Sequence, residues 1–161
     1  MLFNKISTLL LPCLLLLSFV SYADDDKDKI AEILALNETP DGVVFELLGS
    51  EDGEYLPNAL KKVKAFKQQL QKKFPKLEVA VVSHGAEQFG LTTKNKEEAK
   101  ESHKLVQRLV ADDVPVHICE THAGWRGVVA EDFPSYITAS PQGPAQIKMY
   151  QELGFILVLV E

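Results

Sequence analysis

From Lys29 onward the chain alternates between two spacings of apolar residues. Val43 to Leu48 (VVFELL), Leu77 to Ser83 (LEVAVVS), Val114 to Cys119 (VPVHIC) and Phe155 to Val160 (FILVLV) are short apolar runs. Runs of this length, rich in branched side chains and bounded by turn residues, predict strands. Between the first two, Leu60, Val63, Phe66, Leu70 and Phe74 recur every three or four positions and so share one helix face. Pro57 suits the first turn of that helix, and Pro75 ends it. A second helix presents Ala99, Val106, Leu109 and Val110 inward, and Asn95 with Glu98 predicts a capping box at its start. Further on, helix is expected from about Gly124 and a short fourth strand from Phe133 to Thr138. The last helix starts at Ser140-Pro141 or Gly143-Pro144 and stops at Gly154. The unbroken apolar run after it predicts a strand covered on both faces. Upstream, Lys29 to Leu36 predicts a short helix, Asp24 to Asp28 is expected to fray, and Asn37 to Gly42 forms a turn cluster.

Strands joined by helices of this length run parallel with right-handed crossovers. The expected class is therefore α/β, a three-layer α/β/α sandwich on a mainly parallel sheet of about five strands. Ligands of such sheets bind beyond the carboxyl ends of the strands. That rule selects three loops: Gly49 to Gly53, His84 to Gly90, and Cys119 to Arg126.

The first residues follow a different pattern. Lys5 precedes an uncharged run from Ile6 to Val20, then Ser21-Tyr22-Ala23 and three aspartates. A basic start, a short apolar stretch and small residues before a polar boundary predict a cleavable export signal. The run is about 15 residues, short of the roughly 20 that span a membrane. The expected organisation is a signal peptide over 1–23, an acidic segment with a possible short helix over 24–41, and one α/β domain over 42–161. The expected location is the periplasm.

Charge narrows the partners. The chain has 17 basic and 23 acidic side chains, a net charge of −6, and becomes one unit more negative when Lys5 leaves. Nucleic acid is excluded as a partner class, because phosphate binding needs a positive field. Anionic membrane surfaces are disfavoured for the same reason, so no membrane association is expected after cleavage. Lys61, Lys62, Lys64, Lys67, Lys72 and Lys73 read as the solvated face of an amphipathic helix.

Cysteine usage carries the chemistry. Cys13 leaves with the signal, so Cys119 has no partner within the domain. An unpaired thiol in an exported chain is reactive, bonded between chains, or buried and inert. Cys119 ends a strand and opens His117-Ile118-Cys119-Glu120-Thr121-His122-Ala123-Gly124-Trp125-Arg126-Gly127. Backbone N–H groups of a turn that follows such a strand can point at the sulfur and favour thiolate. His122 and Arg126 add positive charge, Glu120 opposes it, and His84 joins them if its strand neighbours that of Cys119. A metal reading uses His84, His117, Cys119 and His122, yet there is no Cys-x-x-Cys pair, and no metal or cofactor is assigned. A Cys–His hydrolase lacks a visible third residue. His103 reads as structural or solvated, and Trp125 as packing, a subunit contact or a shield for the thiol.

These segments carry a resemblance. DGVVFELLG (Asp41 to Gly49), AVVSHGAEQFGL (Ala80 to Leu91), ADDVPVHICETHAGWRG (Ala111 to Gly127) and EDFPSYITASPQGPAQIKMYQELGF (Glu131 to Phe155) resemble the DsrE/DsrF-like family of sulfur-handling proteins, in particular its exported single-domain branch. The resemblance spans nearly all of Gly42 to Glu161 and implies a parallel α/β/α fold that assembles as a homotrimer or homohexamer. Some members relay sulfur as a cysteine persulfide, with the cysteine after the third strand ahead of a basic residue and a glycine. Cys119, followed by Arg126 and Gly127, stands at the matching place, while the polar Glu120-Thr121-His122 and the export signal depart from the relay members. The implied function is a periplasmic sulfur-binding protein that carries sulfane sulfur on Cys119, with His122, Arg126 and His84 as supporting residues. Its partners would be a sulfane-sulfur donor and an acceptor thiol or redox protein. The alternatives are a non-catalytic module holding a small ligand or metal on the same loops, or an oligomeric scaffold with an inert thiol.

Overall fold

The apolar runs form five strands in the computed structural model, which describes residues 25–161. The export signal lies outside the described residues. In chain order the elements are α1 (Asp25–Ala35), β1 (Gly42–Leu47), α2 (Tyr55–Lys73), β2 (Glu78–Ser83), α3 (Lys100–Ala111), β3 (Val116–Cys119), α4 (Glu120–Gly124), β4 (Thr138–Ser140), α5 (Gly143–Glu152) and β5 (Phe155–Val160). Short 3-10 turns occupy Ala86–Leu91, Thr93–Asn95 and Ala130–Asp132. All strand pairs are parallel, in the order β4-β3-β2-β1-β5. The fold is a three-layer α/β/α sandwich.

Alternation along the strands divides the core in two. Val43, Phe45, Leu47, Val81, Val116 and Ile118 face one side, where they pack with Ile30 and Ile33 of α1, Leu60, Val63 and Leu70 of α2, and Val106 and Leu109 of α3. Val44, Ala80 and Val82 face the other, under Ile147 of α5. One side thus carries α1, α2 and α3, with Ala123 of the short α4 packed there too, and the other a single helix of ten residues. The chain leaves β2 toward α3 on the first side and β4 toward α5 on the second. These connections part to opposite faces on either side of β3, and the carboxyl ends at a switch of this kind are where such sheets bind ligands.

Four expectations change. The capping box is absent: Ala99 precedes α3 without a side-chain cap, and Asn95 Nδ2 donates to the Phe89 carbonyl instead. Helix begins directly after Cys119 rather than near Gly124, because the Cys119 side chain itself receives an N–H of the first turn. The fourth strand occupies Thr138–Ser140, since Phe133 to Ile137 is taken up by turns. The last strand is at an edge of the sheet, so Leu159 stays exposed and Phe155, Ile156 and Leu157 half-buried.

Of the acidic residues expected to fray, Asp25 to Asp28 are helical, and Asp24 lies outside the described residues. Asp25, Asp26 and Asp28 occupy the first turn of α1, where carboxylates offset the exposed N–H groups. Asp26 is buried, 2.8 Å from Lys62 Nζ, and accepts from the backbone N–H of Glu161 at 3.4 Å. Lys62 also donates to the Glu161 carbonyl, so one ammonium joins α1, α2 and the end of β5. Lys73 donates to the Leu34 and Leu36 carbonyls, and Lys67 pairs with Asp112 at 3.2 Å. These three lysines hold contacts rather than a merely solvated face.

Removing one partner of a buried ion pair leaves the other charge desolvated. Lys62→Met is expected to lower unfolding free energy by about 2–3 kcal/mol, less than for a fully buried pair because Lys62 is partly exposed. Lys62→Met combined with Asp26→Leu should recover most of that loss. Urea unfolding of the three variants checks it.

Candidate functional site

The parallel register sets the row of side chains at the carboxyl edge. His117 pairs with Val82 and Ile118 with Ser83, so one further step puts Cys119 beside His84. On the far side Cys119 pairs with Ser140. Ile118 is buried among the helices of the larger core, which turns its neighbours His117 and Cys119 toward α5. Gly143, the first residue of α5, closes over them. A Cβ there would overlap His84 and stand 3.4 Å from Cys119 Cβ, so only glycine permits this approach.

Cys119 is a free thiol, 5 % exposed. Its sulfur accepts from the backbone N–H of His122 at 3.5 Å, and its own N–H donates to Gln88 Oε1 at 2.8 Å. Gln88 is fully buried, and its Nε2 has no partner. A spare buried donor therefore stands one amide width from the atom that anchors Cys119.

The predicted supporting residues fall in two groups. His84 and His122 gather at Cys119. His122 Nδ1 donates to the His84 carbonyl at 2.7 Å, and its ring stands edge-on to Phe89 and tilted over Trp125. His84 Nε2 lies 2.7 Å from Glu46 Oε1, with both side chains largely buried. Arg126 turns away: its guanidinium pairs with Glu51 and lies 4.4 Å over the Phe89 ring. Trp125 is 78 % exposed, so it shields nothing from water in a single chain. Glu120 is exposed, on the first turn of α4.

The loops around the thiol are braced by a buried carboxylate. Glu87 accepts from Ser83 Oγ at 2.7 Å, from the Gly85 N–H at 3.1 Å and from the Gly49 N–H at 2.7 Å. It thereby ties the loop after β1 to the loop after β2. The cleft lined by Ser50, Glu51, Leu56, Glu87, Asn95 and Glu98 opens beside this brace and does not reach Cys119.

Two histidines outside the thiol site are buried. His117 Nδ1 donates to Ser140 Oγ at 3.0 Å, because that hydroxyl gives its own hydrogen to Gln146; His117 Nε2 then accepts from Tyr150 at 2.9 Å. With both ring nitrogens engaged, His117 is not free to bind metal with Cys119. His103, which lies mid-helix, is buried: Nε2 donates to the Gly90 carbonyl and Nδ1 accepts from Tyr136 at 2.6 Å. Among the described residues no three His, Cys, Asp or Glu side chains gather to hold a metal ion.

Three contributors escaped the sequence reading. Glu46 had a usable signal, a lone charge inside the apolar VVFELL run near its carboxyl end. Gly143 was read as a helix start, and its close approach depends on the tertiary fold. Nothing local marks Gln88.

No protein-family model matches the chain, and no curated protein matches it in sequence. Solved structures do. One, titled a protein of unknown function, MTH1491 from Methanobacterium thermoautotrophicum, is similar at a TM-score of 0.60 and 15 % identity, over 74 % of this chain and 99 % of that one. The ychN protein from E. coli is similar at a TM-score of 0.57 and 20 % identity, over 74 % of this chain and 99 % of that one. At these identities the likeness shows the fold.

Burial pushes the pKa of His117 down, and that of His103 down as well, although the Gly90 carbonyl partly offsets it there. The unfolded chain therefore takes up these protons first. Their contribution to stability is complete above about pH 6.5 and is lost as pH falls through the lower folded values. Denaturation midpoints should fall between pH 7 and pH 5.5, where carboxylates scarcely titrate, and His103→Gln and His117→Gln should each flatten the slope.

Proposed function

We propose that this chain is a DsrE/DsrF-like sulfur carrier that holds sulfane sulfur as a persulfide on Cys119. The observation that carries the reading is the setting of the thiol. It is a single free sulfur at the switch of the sheet, between two histidines, with a backbone N–H on it and a spare buried donor nearby. The fold shared with the two solved structures is compatible with it.

In the proposed step the Cys119 thiolate attacks the outer sulfur of a persulfide, R–S–SH. A Cys119 S–S bond forms, the sulfur–sulfur bond of RS–SH breaks, and RS⁻ leaves with the electron pair, later to take a proton. Sulfur moves with no net oxidation, so neither a second cysteine nor a redox cofactor is needed. The low exposure of the thiol favours a small donor, such as inorganic polysulfide or a low-mass persulfide, over a protein surface. Transfer onward to an acceptor thiol runs the same exchange in reverse. The location proposed for this chemistry is the periplasm, on the strength of the N-terminal pattern alone.

Incubation with polysulfide followed by intact-mass spectrometry tests the reading. The wild type should gain the mass of one sulfur, lose it to cyanide, and Cys119→Ser should gain none. A folded wild type that gains no sulfur sinks the carrier.

An oligomer is proposed as the working form. Trp125, Val129, Leu48, Met149 and Leu153 are all exposed in the single chain, apolar surface that a partner copy would cover. Light scattering should give three or six times the mass of the processed chain, whereas a monomer at micromolar concentration would refute it.

A further inference from the structure

The row at the carboxyl edge contains a pairing that the carrier reading does not itself require. Glu46 and His84 face the α5 side of adjacent strands, and Cys119 stands next to His84 on the third. Glu46 pairs with Val82, so the carboxylate stands one rung below the imidazole and the thiol and reaches the ring from β1. Glu46 is the one charged side chain in an otherwise apolar strand, and its half-buried Oε1 is 2.7 Å from His84 Nε2. A carboxylate only accepts, so Nε2 carries the hydrogen and Nδ1 of a neutral ring presents a lone pair. Among the described residues Nδ1 makes no hydrogen bond. The register sets this ring on the strand next to Cys119, and an imidazole fixed by a carboxylate on the neighbour of a nucleophile is the kind of arrangement that activates a thiol.

We infer that Glu46 is a positioning residue: it fixes His84 so that the imidazole takes the proton of Cys119 and returns it to the departing thiolate. The inference rests on the carrier reading for its substrate. The balance is Cys119–SH plus R–S–SH giving Cys119–S–SH plus R–SH. His84 Nδ1 accepts the thiol proton before attack, the new S–S bond replaces the old one, and the imidazolium protonates RS⁻. Glu46 stays ionised throughout and offsets the imidazolium charge.

The other ionisable groups around His84 leave this role open to it. His122 spends Nδ1 on the His84 carbonyl and reaches Cys119 through its backbone N–H. Glu87 is saturated by Ser83, Gly85 and Gly49. His117 and Tyr150, one rung below on the same face, bond each other, and Gly143 of α5 lies against His84. Arg126 is held by Glu51.

The test compares wild type, Glu46→Gln and His84→Gln by iodoacetamide alkylation of Cys119 and by sulfur uptake from glutathione persulfide, each across pH 6 to about pH 10. Circular dichroism confirms that the variants are folded. At neutral pH Glu46→Gln should slow both reactions roughly 10-fold and His84→Gln roughly 100-fold, at the lower end of acid–base contributions. Near pH 10 the alkylation rates should converge, since thiolate then forms without help. A loss of equal factor at every pH would mean altered access alone, and would overturn the inference, as would curves identical to wild type or a folded wild type closed to iodoacetamide. The two readings fail separately. Shifted alkylation curves without sulfur uptake would end the carrier and keep the proton dyad; normal uptake indifferent to Glu46 and His84 would do the reverse.

Discussion

The site depends on the register of β3 against β2. Side chains alternate along a strand, so a slip of one residue would turn Cys119 toward α2 and α3 and set Ile118 under α5. The register is held from both sides. Val116 and Ile118 fill the three-helix core, while His117 satisfies both ring nitrogens on the one-helix side, with Ser140 and Tyr150. A slipped strand would bury an imidazole among Leu105, Val106 and Leu109 without partners. An unsatisfied polar group in such a place costs on the order of 1–3 kcal/mol, which is large against the net stability of a domain. The polar rung below the thiol thus specifies where the thiol points.

A second constraint acts across the strands. The loops after β1, β2 and β3 would be independent if each were tied only to itself. Glu87 joins the first two through backbone N–H groups, and Gln88, the next residue, takes the N–H of Cys119. Two adjacent buried side chains therefore link three strand ends. Gly143 then lets α5 come close enough to cover His84 and Cys119 together. The result is a thiol whose surroundings are set by rigid elements, with little left to loop motion.

Much of this was legible in the sequence, and what was missed has a common cause. Strand positions, the amphipathic face of α2, the strand-to-helix junction at Cys119 and the parallel class follow from periodicity and element order, which are local. The position of His84 beside Cys119 was conditional on strand adjacency, and the observed order β3-β2 supplies it. The errors arise where tertiary contacts override local preference. Asn95 has the right residue type for a cap, but the Phe89 carbonyl claims its side chain. The aspartates of α1 look solvated in sequence, yet Asp26 meets Lys62 from an element 36 residues away. Phe155 to Val160 reads as central because it is apolar throughout, whereas β5 lies at an edge whose outer face α5 only partly covers.

Under the proposed carrier role, charge bears on how a sulfur donor would be selected. The chain is acidic overall, and the basic groups around the thiol are locally matched: Arg126 by Glu51 and His84 by Glu46. Long-range attraction of anionic donors is therefore weak, and steering by a positive field does not operate here. What remains is short-range. The His122 N–H acts only on a group already at the sulfur, and access to a thiol that is 5 % exposed depends on size. Selection by fit and by a few fixed donors, rather than by charge, also suits a carrier that must release its cargo. A strongly cationic cradle would hold a persulfide anion tightly and slow its transfer onward, whereas neutral N–H donors stabilise the anion by less than an ion pair would.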